Sequence, residues 1–280
     1  MKISLNWIKD FVNLDGISVR DIWYRFTMST AEVDDVTETG GDVRNVVVGR
    51  VIKVEPHPSS EKLKVIQVDV GGEVVQSVCG APNVREGINV PFAKAGGAIR
   101  KVPEVRSAKV AGVDSNGIAC SPAEIGISDS HEGVFILSDE YKPGTDIKTI
   151  IDIDDVIIEI DNKSLTNRPD LWGHYGIARE MAAIFKRELK PLEIAEGLEN
   201  SGMPDLDIKV LDENKCHRYS GLRIEGIKVR QSPLNMQVRL YYCGMRPISP
   251  VVDLTNYLML EVGQPMHAFD YDLLTNGHII

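Results

Sequence analysis

Several common signatures are missing from this 280-residue chain. No run approaches the ~20 consecutive apolar residues of a membrane-spanning helix. The N-terminus reaches Lys9 and Asp10 too soon to form the apolar core of a signal peptide. The four cysteines form no C-x-x-C pair and have none of the spacings of a zinc finger. We therefore expect a cytoplasmic protein with reduced cysteines, no membrane association and no metal site.

The chain also lacks an excess of positive charge, since its formal net charge is −10. That total argues against nonspecific binding to nucleic acid, but the distribution is uneven. Residues 40–110 hold 11 Lys and Arg against 7 Asp and Glu, whereas residues 111–155 hold 2 against 10. Phosphate binding needs a local density of cations and not a basic total. Ordinary variation of surface charge would give the same pattern, so both interpretations stay open.

Internal repeats and low-complexity tracts are absent as well. With 280 residues and 43% hydrophobic content, the chain is long enough for roughly two domains. Ser4 can cap a helix with an apolar face from Leu5 to Val12, and Ser18 can cap another over Asp21–Met28. These signals predict a helical start to the chain.

A segment rich in valine and glycine begins at Gly40-Gly41 and ends near Gly144. Short alternating runs separated by turn residues predict five strands there. They are Val46–Val54, Leu63–Val70, Val74–Cys79, Ile88–Ala93 and Gly117–Cys120. Five short strands in ~100 residues are typical of a small barrel.

The last third of the chain contains both helix patterns and strand patterns. A helix is predicted over Tyr175–Glu188, a linker over Pro191–Pro204, and a further helix between Ser232-Pro233 and Gly244. Strand patterns occupy Leu206–Val210 and Tyr219–Ile224. Ile279-Ile280 resembles the first residues of one more strand, so we expect the chain to be part of a longer polypeptide.

The predicted barrel carries a candidate basic face. Lys62 and Lys64 flank Leu63 at the period of a strand, so both side chains are expected on one side. Lys53, Arg85 and Lys94 could join them. Barrels of the OB type present such a face to nucleic acid. A plain solvated surface is the competing interpretation.

Aromatic residues are scarce in this segment, which contains only Phe92 before Phe135 and Tyr141. Binding of single strands by base stacking needs exposed aromatic rings. The scarcity therefore favours recognition of the backbone and shape of a folded RNA.

A second candidate site follows the polar cluster Asp253–Tyr257, in the stretch Gly263–Asp270. Pro265 interrupts any helix there. His267 would then lie just beyond that interruption, where it could point into a cleft near Asp270. A structural histidine is the alternative, because a lone histidine is seldom catalytic.

Four motifs in the barrel segment occur in a familiar order. They are Val48-Gly49-Arg50-Val51, His57-Pro58-Ser59-Ser60-Glu61-Lys62-Leu63, Cys79-Gly80-Ala81-Pro82-Asn83 and Ser115-Asn116-Gly117-Ile118-Ala119-Cys120-Ser121. This set resembles the tRNA-binding OB domain of several synthetases and of free-standing tRNA-binding proteins.

Further motifs resemble the β subunit of bacterial phenylalanyl-tRNA synthetase. They are Met1-Lys2-Ile3-Ser4-Leu5-Asn6-Trp7-Ile8, Thr166-Asn167-Arg168-Pro169-Asp170, Gly176-Ile177-Ala178-Arg179-Glu180 and the stretch from Gly244 to Asp270. One departure is Leu171-Trp172-Gly173-His174, where many members have Cys-Leu-Ser after the Asp. We expect His174 to be a helix-start or packing residue.

This resemblance implies an α+β, multidomain fold. Residues 1–38 and 151–195 would form one discontinuous α+β domain, with a tRNA-binding OB-fold β-barrel inserted at 39–150. Residues 205–280 would be the truncated N-terminal part of an α+β editing domain of the B3/B4 type.

The resemblance also implies the partners and cofactors. The β subunit pairs with a catalytic α subunit in an α2β2 enzyme that charges tRNA(Phe) using ATP and Mg2+. No cofactor is expected in this chain itself, which should not make Phe-tRNA alone.

Site residues follow from the same resemblance. Arg246 and His267 fall at positions of the site that hydrolyses mischarged Tyr-tRNA, whose other parts are expected beyond Ile280. The tRNA-binding candidates are Lys53, His57, Lys62, Lys64, Asn83, Arg85, Lys94 and Ser121. A surface salt bridge for Arg246 and a packing role for His267 are the alternatives.

Two rival functions remain. One is a stand-alone tRNA-binding protein, which would have no need of Arg246 to Asp270. The other is a synthetase paralogue that serves as a scaffold without catalysis, which the sequence alone does not distinguish from the ligase subunit.

Overall fold

The computed structural model of this chain describes residues 1–195 and 205–280, and it confirms a mixed α+β protein. The α-helices are α1 Leu5–Lys9, α2 Val19–Ser29, α3 His174–Phe185, α4 Leu234–Tyr242 and α5 Pro250–Val262. The strands are β1 Lys2–Ser4, β2 Val33–Glu38, β3 Arg44–His57, β4 Ser60–Asp69, β5 Val74–Cys79, β6 Asn89–Ala98, β7 Ala108–Val110, β8 Val113–Ser115, β9 Gly117–Ala119, β10 Val156–Ile160, β11 Asp207–Ile208 and β12 His278–Ile279. No helix in the described part of the chain has the length and apolarity needed to cross a bilayer.

The two predicted N-terminal helix starts are confirmed. Ser4 Oγ accepts a hydrogen bond from Trp7 N at 3.0 Å, and Ser18 Oγ accepts one from Asp21 N at 3.1 Å. Each bond satisfies an N–H group that has no partner within the helix. The apolar faces of both helices pack into one core with α3.

A three-stranded antiparallel sheet joins distant parts of the chain, in the order β1-β10-β2. Lys2 lies opposite Glu159, and Val156 lies opposite Glu38. The sheet and the helices α1, α2 and α3 share the core that contains Ile3, Phe26 and Ile158. Strands from the start of the chain and from the region just before residue 160 therefore lie in the same sheet.

All five strands predicted between residues 46 and 120 are present as β3, β4, β5, β6 and β9. They form a five-stranded antiparallel sheet in the order β5-β4-β3-β6-β9. The sheet bends closely at Gly49, where a Cβ atom would lie 2.5 Å from Val68 Cγ1 and 2.9 Å from Phe92 Cβ. Glycine is required there because any side chain would collide with both residues.

The two edges of this sheet meet through side chains and single hydrogen bonds. Ser77 Oγ on β5 donates to Gly117 O at 2.7 Å, and Val78 N donates to Ser115 Oγ at 3.1 Å. Asn116 N donates to Gln76 O at 2.9 Å. No ladder between β5 and β9 is present among the described residues, so the sheet is strongly curved without being closed by strand pairing.

The C-terminal third differs from the sequence prediction in two strands. The strand predicted over Leu206–Val210 is reduced to β11, which pairs in parallel with β12 and so confirms a strand at Ile279. The strand predicted over Tyr219–Ile224 is wrong, because an alternating pattern needs a hydrogen-bonding neighbour and that segment has no ladder partner in the described structure. The linker predicted over Pro191–Pro204 falls partly outside the described residues.

Helix α5 was not predicted, because its apolar residues are not confined to one face. Pro250 begins the helix and Gly263, at φ +76°, ends it in the left-handed conformation. The predicted interruption near Pro265 therefore comes two residues earlier, at a glycine.

His174 starts α3 and is fully buried, which confirms its predicted role at a helix start and in packing. Its Nε2 accepts from Ser4 N at 3.1 Å, and its Nδ1 donates to Leu260 O at 2.7 Å. The ring stacks on Trp7 at a centroid distance of 4.0 Å, and Trp7 stacks in turn on Tyr257 at 4.2 Å. Burial lowers the pKa of His174 to about 3, against the opposing effect of its bond to the Leu260 carbonyl.

We predict that His174 makes the protein acid-sensitive. Its pKa is about 3 when folded and 6.5 when exposed, so between these values the unfolded chain binds a proton that the folded chain does not. Stability should therefore fall as the pH decreases below 6.5, by at most about 1.4 kcal/mol per pH unit.

Urea unfolding at several pH values measures this slope. His174→Gln, which keeps an acceptor and a donor, should be less stable at pH 7 and should have a shallower slope between pH 6.5 and pH 4. The difference between the two proteins isolates His174 from Asp155, whose pKa burial raises and whose contribution has the opposite sign. Equal slopes would contradict the prediction.

Candidate nucleic-acid interface

The turn between β3 and β4 lies beside an open groove of about 660 Å3. Its lining runs from Val54 to Ser60 and continues with Glu61, Leu63 and Lys64. Six of the ten lining residues are polar or charged, and they include two carboxylates and one ammonium group. The motif that resembles tRNA-binding domains occupies this turn.

Lys64 and Arg85 lie close together in the structure. Lys64 is half-buried, and its Nζ donates to Val84 O at 3.0 Å and to Pro82 O at 3.5 Å. Arg85 follows directly and is exposed. Lys62 is exposed, but it lies where the β3–β4 register shifts, between the pairs Pro56–Lys64 and His57–Ser60, so alternation does not fix its side. The structure thus places one predicted lysine beside one predicted arginine, with Lys62 two residues from Lys64 along β4.

Lys53 lies on the opposite face. It pairs across the strands with Gln67, three positions from Lys64, and residues at odd separations point to opposite sides. Its Nζ also forms an ion pair with Glu55 at 2.9 Å, in which both side chains are largely exposed. Lys94, on β6, is half-buried and pairs with Gly117. The structure does not unite all five predicted cations.

Three other predicted tRNA-binding residues have their polar atoms bound within the protein. His57 Nε2 donates to Val110 O at 3.2 Å, while its Nδ1 accepts from Ser59 N at 3.2 Å. Asn83 donates to Val134 O and accepts from Val134 N, each at 2.9 Å. Ser121 donates to Glu124 Oε2 from both N and Oγ. Each of these contacts fixes a loop next to the sheet.

The hairpin of β7 and β8 was missed by the sequence analysis. A two-residue turn at Ala111 and Gly112, with φ of +48° and +91°, joins the two strands. The signal that could have found it is glycine at the second position of a two-residue turn between Val110 and Val113. Lys109 on this hairpin is exposed.

Arg246 lies exposed on the connection between α4 and α5. Asp253, only 1% exposed, fixes that connection by accepting from Ile248 N at 2.7 Å and from Ser232 Oγ at 2.5 Å. Burying a carboxylate costs free energy unless hydrogen-bond donors satisfy it, so both of these bonds are needed to keep Asp253 buried. The backbone beside Arg246 is therefore held although its side chain is free to reach outward.

His267 is also exposed, and no cleft encloses it in the described structure. Its ring lies 6.3 Å from that of Phe269, centroid to centroid. Asp270 accepts from Asp272 N at 3.2 Å and so caps a short turn instead of bonding His267. Among the described residues, no hydrogen bond joins His267 to Arg246. The structure therefore does not bring the two predicted residues together in one site.

No group of three or more His, Cys, Asp or Glu side chains could hold a metal ion within residues 1–195 and 205–280. The four cysteines are free. Burial raises the pKa of Cys120 and, to about 12, that of Cys243, so neither thiol is a ready nucleophile at neutral pH.

Two protein families match parts of this chain. The family of a tRNA binding domain matches residues 46–146, which include the whole five-stranded sheet except the first residues of β3. The B3/4 domain family matches residues 215–280, which include α4, α5, Arg246 and His267.

The relatives that align with essentially the whole of this chain share one name, phenylalanine–tRNA ligase β subunit. The protein of Clostridium acetobutylicum is 38% identical over all of this chain and 36% of its own length. Those of Trichormus variabilis and Yersinia pestis are each 40% identical, over 98% and 100% of this chain and 34% and 35% of their own length. The chain thus spans about a third of the length of the curated relatives it matches.

Among solved structures, a MetRS-related protein from Pyrococcus horikoshii matches 37% of this chain and 87% of its own length. Its sequence identity is 22% and its TM-score is 0.28. A similarity at this level supports no argument about the fold or the site.

We predict that Asp253 controls the connection that carries Arg246. Asp253→Ala leaves Ile248 N and Ser232 Oγ without their partner and should lower the free energy of unfolding by roughly 2–3 kcal/mol. Hydrogen exchange at the Ile248 amide should accelerate. Thr255→Ala, a change at a half-buried residue of the same helix whose side chain does not contact Asp253 through a hydrogen bond, is the matched control and should do neither. An Ile248 amide that stays protected in Asp253→Ala would contradict this role.

Proposed function

We propose that this chain, which is related over its whole length to phenylalanine–tRNA ligase β subunits, contributes tRNA(Phe) binding to such a ligase. The observation that carries the proposal is the match to a tRNA binding domain within a chain 38–40% identical throughout to these β subunits. The curved sheet and its exposed cations supply the matching physical surface.

The domain division belongs to the same proposal. β3, β4, β5, β6 and β9 act as the five strands of an OB-type barrel at residues 39–150, inserted into an α+β domain made of 1–38 and 151–195. Two features support this. Ser77 on the edge strand β5 donates to Gly117 O on the other edge strand, β9, and β10 returns after the insertion to pair with β1 and β2. Residues 205–280 then form part of a B3/4-type editing domain.

tRNA phosphates bind to the exposed cations around the β3–β4 turn. Lys62 and Arg85 present exposed charged groups, and Lys64 adds positive charge although its amine also binds backbone carbonyls. Lys53 and Lys94 contribute from other positions of the same barrel. His57, Asn83 and Ser121 act by fixing the loops. The scarcity of exposed aromatic rings favours contacts with the RNA backbone and shape.

Aminoacylation takes place, in this proposal, in a partner α subunit that binds ATP and Mg2+, within an α2β2 assembly. The relatives' name, ligase β subunit, supports a partner subunit. The protein then works in the cytoplasm, where tRNA is charged.

Arg246 and His267 serve the editing of mischarged Tyr-tRNA(Phe). A hydrophobic phenylalanine pocket rejects an added hydroxyl only weakly, so hydrolysis of the wrong product provides the missing discrimination. The guanidinium of Arg246 binds a phosphate or carbonyl of the tRNA 3′ end. His267 orients the attacking water or the terminal ribose. The match of residues 215–280 to a B3/4 domain supports this part.

That same match bears on the rival functions. A stand-alone tRNA-binding protein has no use for a B3/4 segment, so the segment favours the ligase subunit over that alternative. A paralogue without catalysis would keep both segments, so this match favours neither it nor the ligase subunit.

We predict that Lys62→Glu combined with Lys64→Glu weakens tRNA binding and flattens its salt dependence. Removal of one lysine–phosphate interaction should reduce the slope of log K against log salt by about 0.7–0.9. Binding of a tRNA(Phe) transcript to the 280-residue chain, measured at several salt concentrations, gives both quantities. Lys163→Glu, an exposed lysine outside the barrel, is the control. An unchanged slope in the double variant would remove these lysines from the interface.

We also predict that the 280-residue chain hydrolyses Tyr-tRNA(Phe) poorly. In the described structure His267 and Arg246 are exposed and share no hydrogen bond, so the groups needed around a scissile ester are not preorganised. Release of labelled tyrosine should remain near the rate in buffer. Rapid hydrolysis by the 280-residue chain would contradict this prediction, and rapid hydrolysis that His267→Ala leaves unchanged would also contradict the assignment of His267.

A further inference from the structure

We propose that the β7–β8 hairpin, residues 108–115, is a second RNA-contacting element, in which Lys109 binds a phosphate and His57 holds the hairpin in place. His57 is then a positioning residue and not an RNA ligand. This inference rests on the proposed tRNA binding and adds to it a contact residue that lies outside the sequence motifs.

The hairpin projects from the five-stranded sheet. All residues from Ala108 to Gly112 are exposed, and within residues 1–195 and 205–280 the only strand that pairs with β7 is β8. The base of the hairpin is attached to β5, where Gln76 Nε2 donates to Asp114 O at 2.9 Å. A two-stranded ribbon is marginally stable by itself, so its tip needs an attachment of its own.

That attachment is a junction of four residues, His57, Ser59, Val110 and Ala111. His57 Nε2–H donates to Val110 O at 3.2 Å, and Ser59 Oγ donates to Ala111 O at 3.0 Å. Ser59 N donates to His57 Nδ1, which fixes the neutral ring with its proton on Nε2. The junction therefore joins the β3–β4 turn to the tip of the hairpin.

The imidazole itself is poorly placed to bind a phosphate. His57 is only 5% exposed, and both of its nitrogens are occupied by backbone groups. A ring with no free donor offers nothing to an RNA oxygen. Its position in the tRNA-binding motif is explained by the hairpin that it holds.

Two exposed lysines flank the junction along the chain. Lys62 follows the β3–β4 turn, and Lys109 precedes the tip of the hairpin. Each has an acidic neighbour, Glu61 along the chain and Asp114 across the hairpin pair. Within the part of the chain that the structure describes, however, neither lysine comes close enough to an acidic group to form an ion pair. Both ammonium groups are available to phosphate.

The position of the hairpin fits the architecture of nucleic-acid-binding barrels. In OB-type barrels the connection between the first two strands and that between the last two flank the ligand. Here these connections are the β3–β4 turn and the segment from β6 to β9, which contains the hairpin. The junction fixes the two connections relative to each other, which suits recognition of a rigid, folded RNA.

Salt-dependent binding of the 280-residue chain to a tRNA(Phe) transcript tests Lys109. Lys109→Gln should weaken binding several-fold and reduce the slope of log K against log salt by about 0.7–0.9, the value for one phosphate contact. Lys163→Gln removes the same charge outside the barrel and should leave the slope unchanged.

The role of His57 is tested by coupling. His57→Leu fills the space but cannot donate to Val110 O, so the slope should fall as it does in Lys109→Gln. Combining the two changes should have no further effect on the slope, because both act through the same phosphate. His57→Gln, which can donate to the same carbonyl, should restore most of the affinity. Thermal unfolding of each variant identifies any general loss of folding.

The outcomes separate this inference from the proposed function. If the wild-type chain binds tRNA and Lys109→Gln keeps the full slope, the hairpin contact is wrong and the proposed function stands. If His57→Leu and Lys109→Gln reduce the slope additively, His57 does not act through the hairpin. If the wild-type chain does not bind tRNA, the proposed function and this inference both fail.

Discussion

The stacking of buried His174 on Trp7 is the contact on which the arrangement of this protein depends. It brings the first helix, the start of α3 and, through Tyr257 and Leu260, helix α5 to one point. Those elements come from the beginning, middle and end of the chain. The two nitrogens of His174 bind backbone groups of β1 and α5, so protonating or removing the ring breaks a bond to at least one of them.

A second polar pair reinforces this point. Ser4, which caps α1, donates to Asp155 at 2.5 Å, just before β10. Burial raises the pKa of the Asp155 carboxyl, while the bonds from Ser4 and nearby backbone N–H groups oppose that rise. The pair ties the N-terminal helix to the segment that re-enters after the five-stranded sheet. The same residues therefore cap a helix and connect it to the segment that follows the five-stranded sheet. Helix α5, which lies between Arg246 and His267 along the chain, is attached to this region through His174.

On the five-stranded sheet, internal hydrogen bonds decide which predicted residues can meet an RNA. Lys64 Nζ donates to the Val84 and Pro82 carbonyls, whereas Lys62 and Arg85 are exposed. His57 is buried at the contact between two hairpins. A motif that resembles a binding site thus contains both ligand candidates and residues that position them, and burial is what distinguishes the two.

The sequence by itself determined the features that depend on neighbours along the chain. Serine three positions before a helical N–H predicts the caps at Ser4 and Ser18, and alternation predicts the five strands of the sheet. Tyr219–Ile224 has the same alternation and forms no strand, because pairing requires a partner that no local pattern supplies. Only the tertiary structure decided that Lys53 faces away from Lys64 and that His57 holds a hairpin 53 residues away. These outcomes depend on strand register and on hydrogen bonds between distant residues, which fixed spacings in a sequence do not encode.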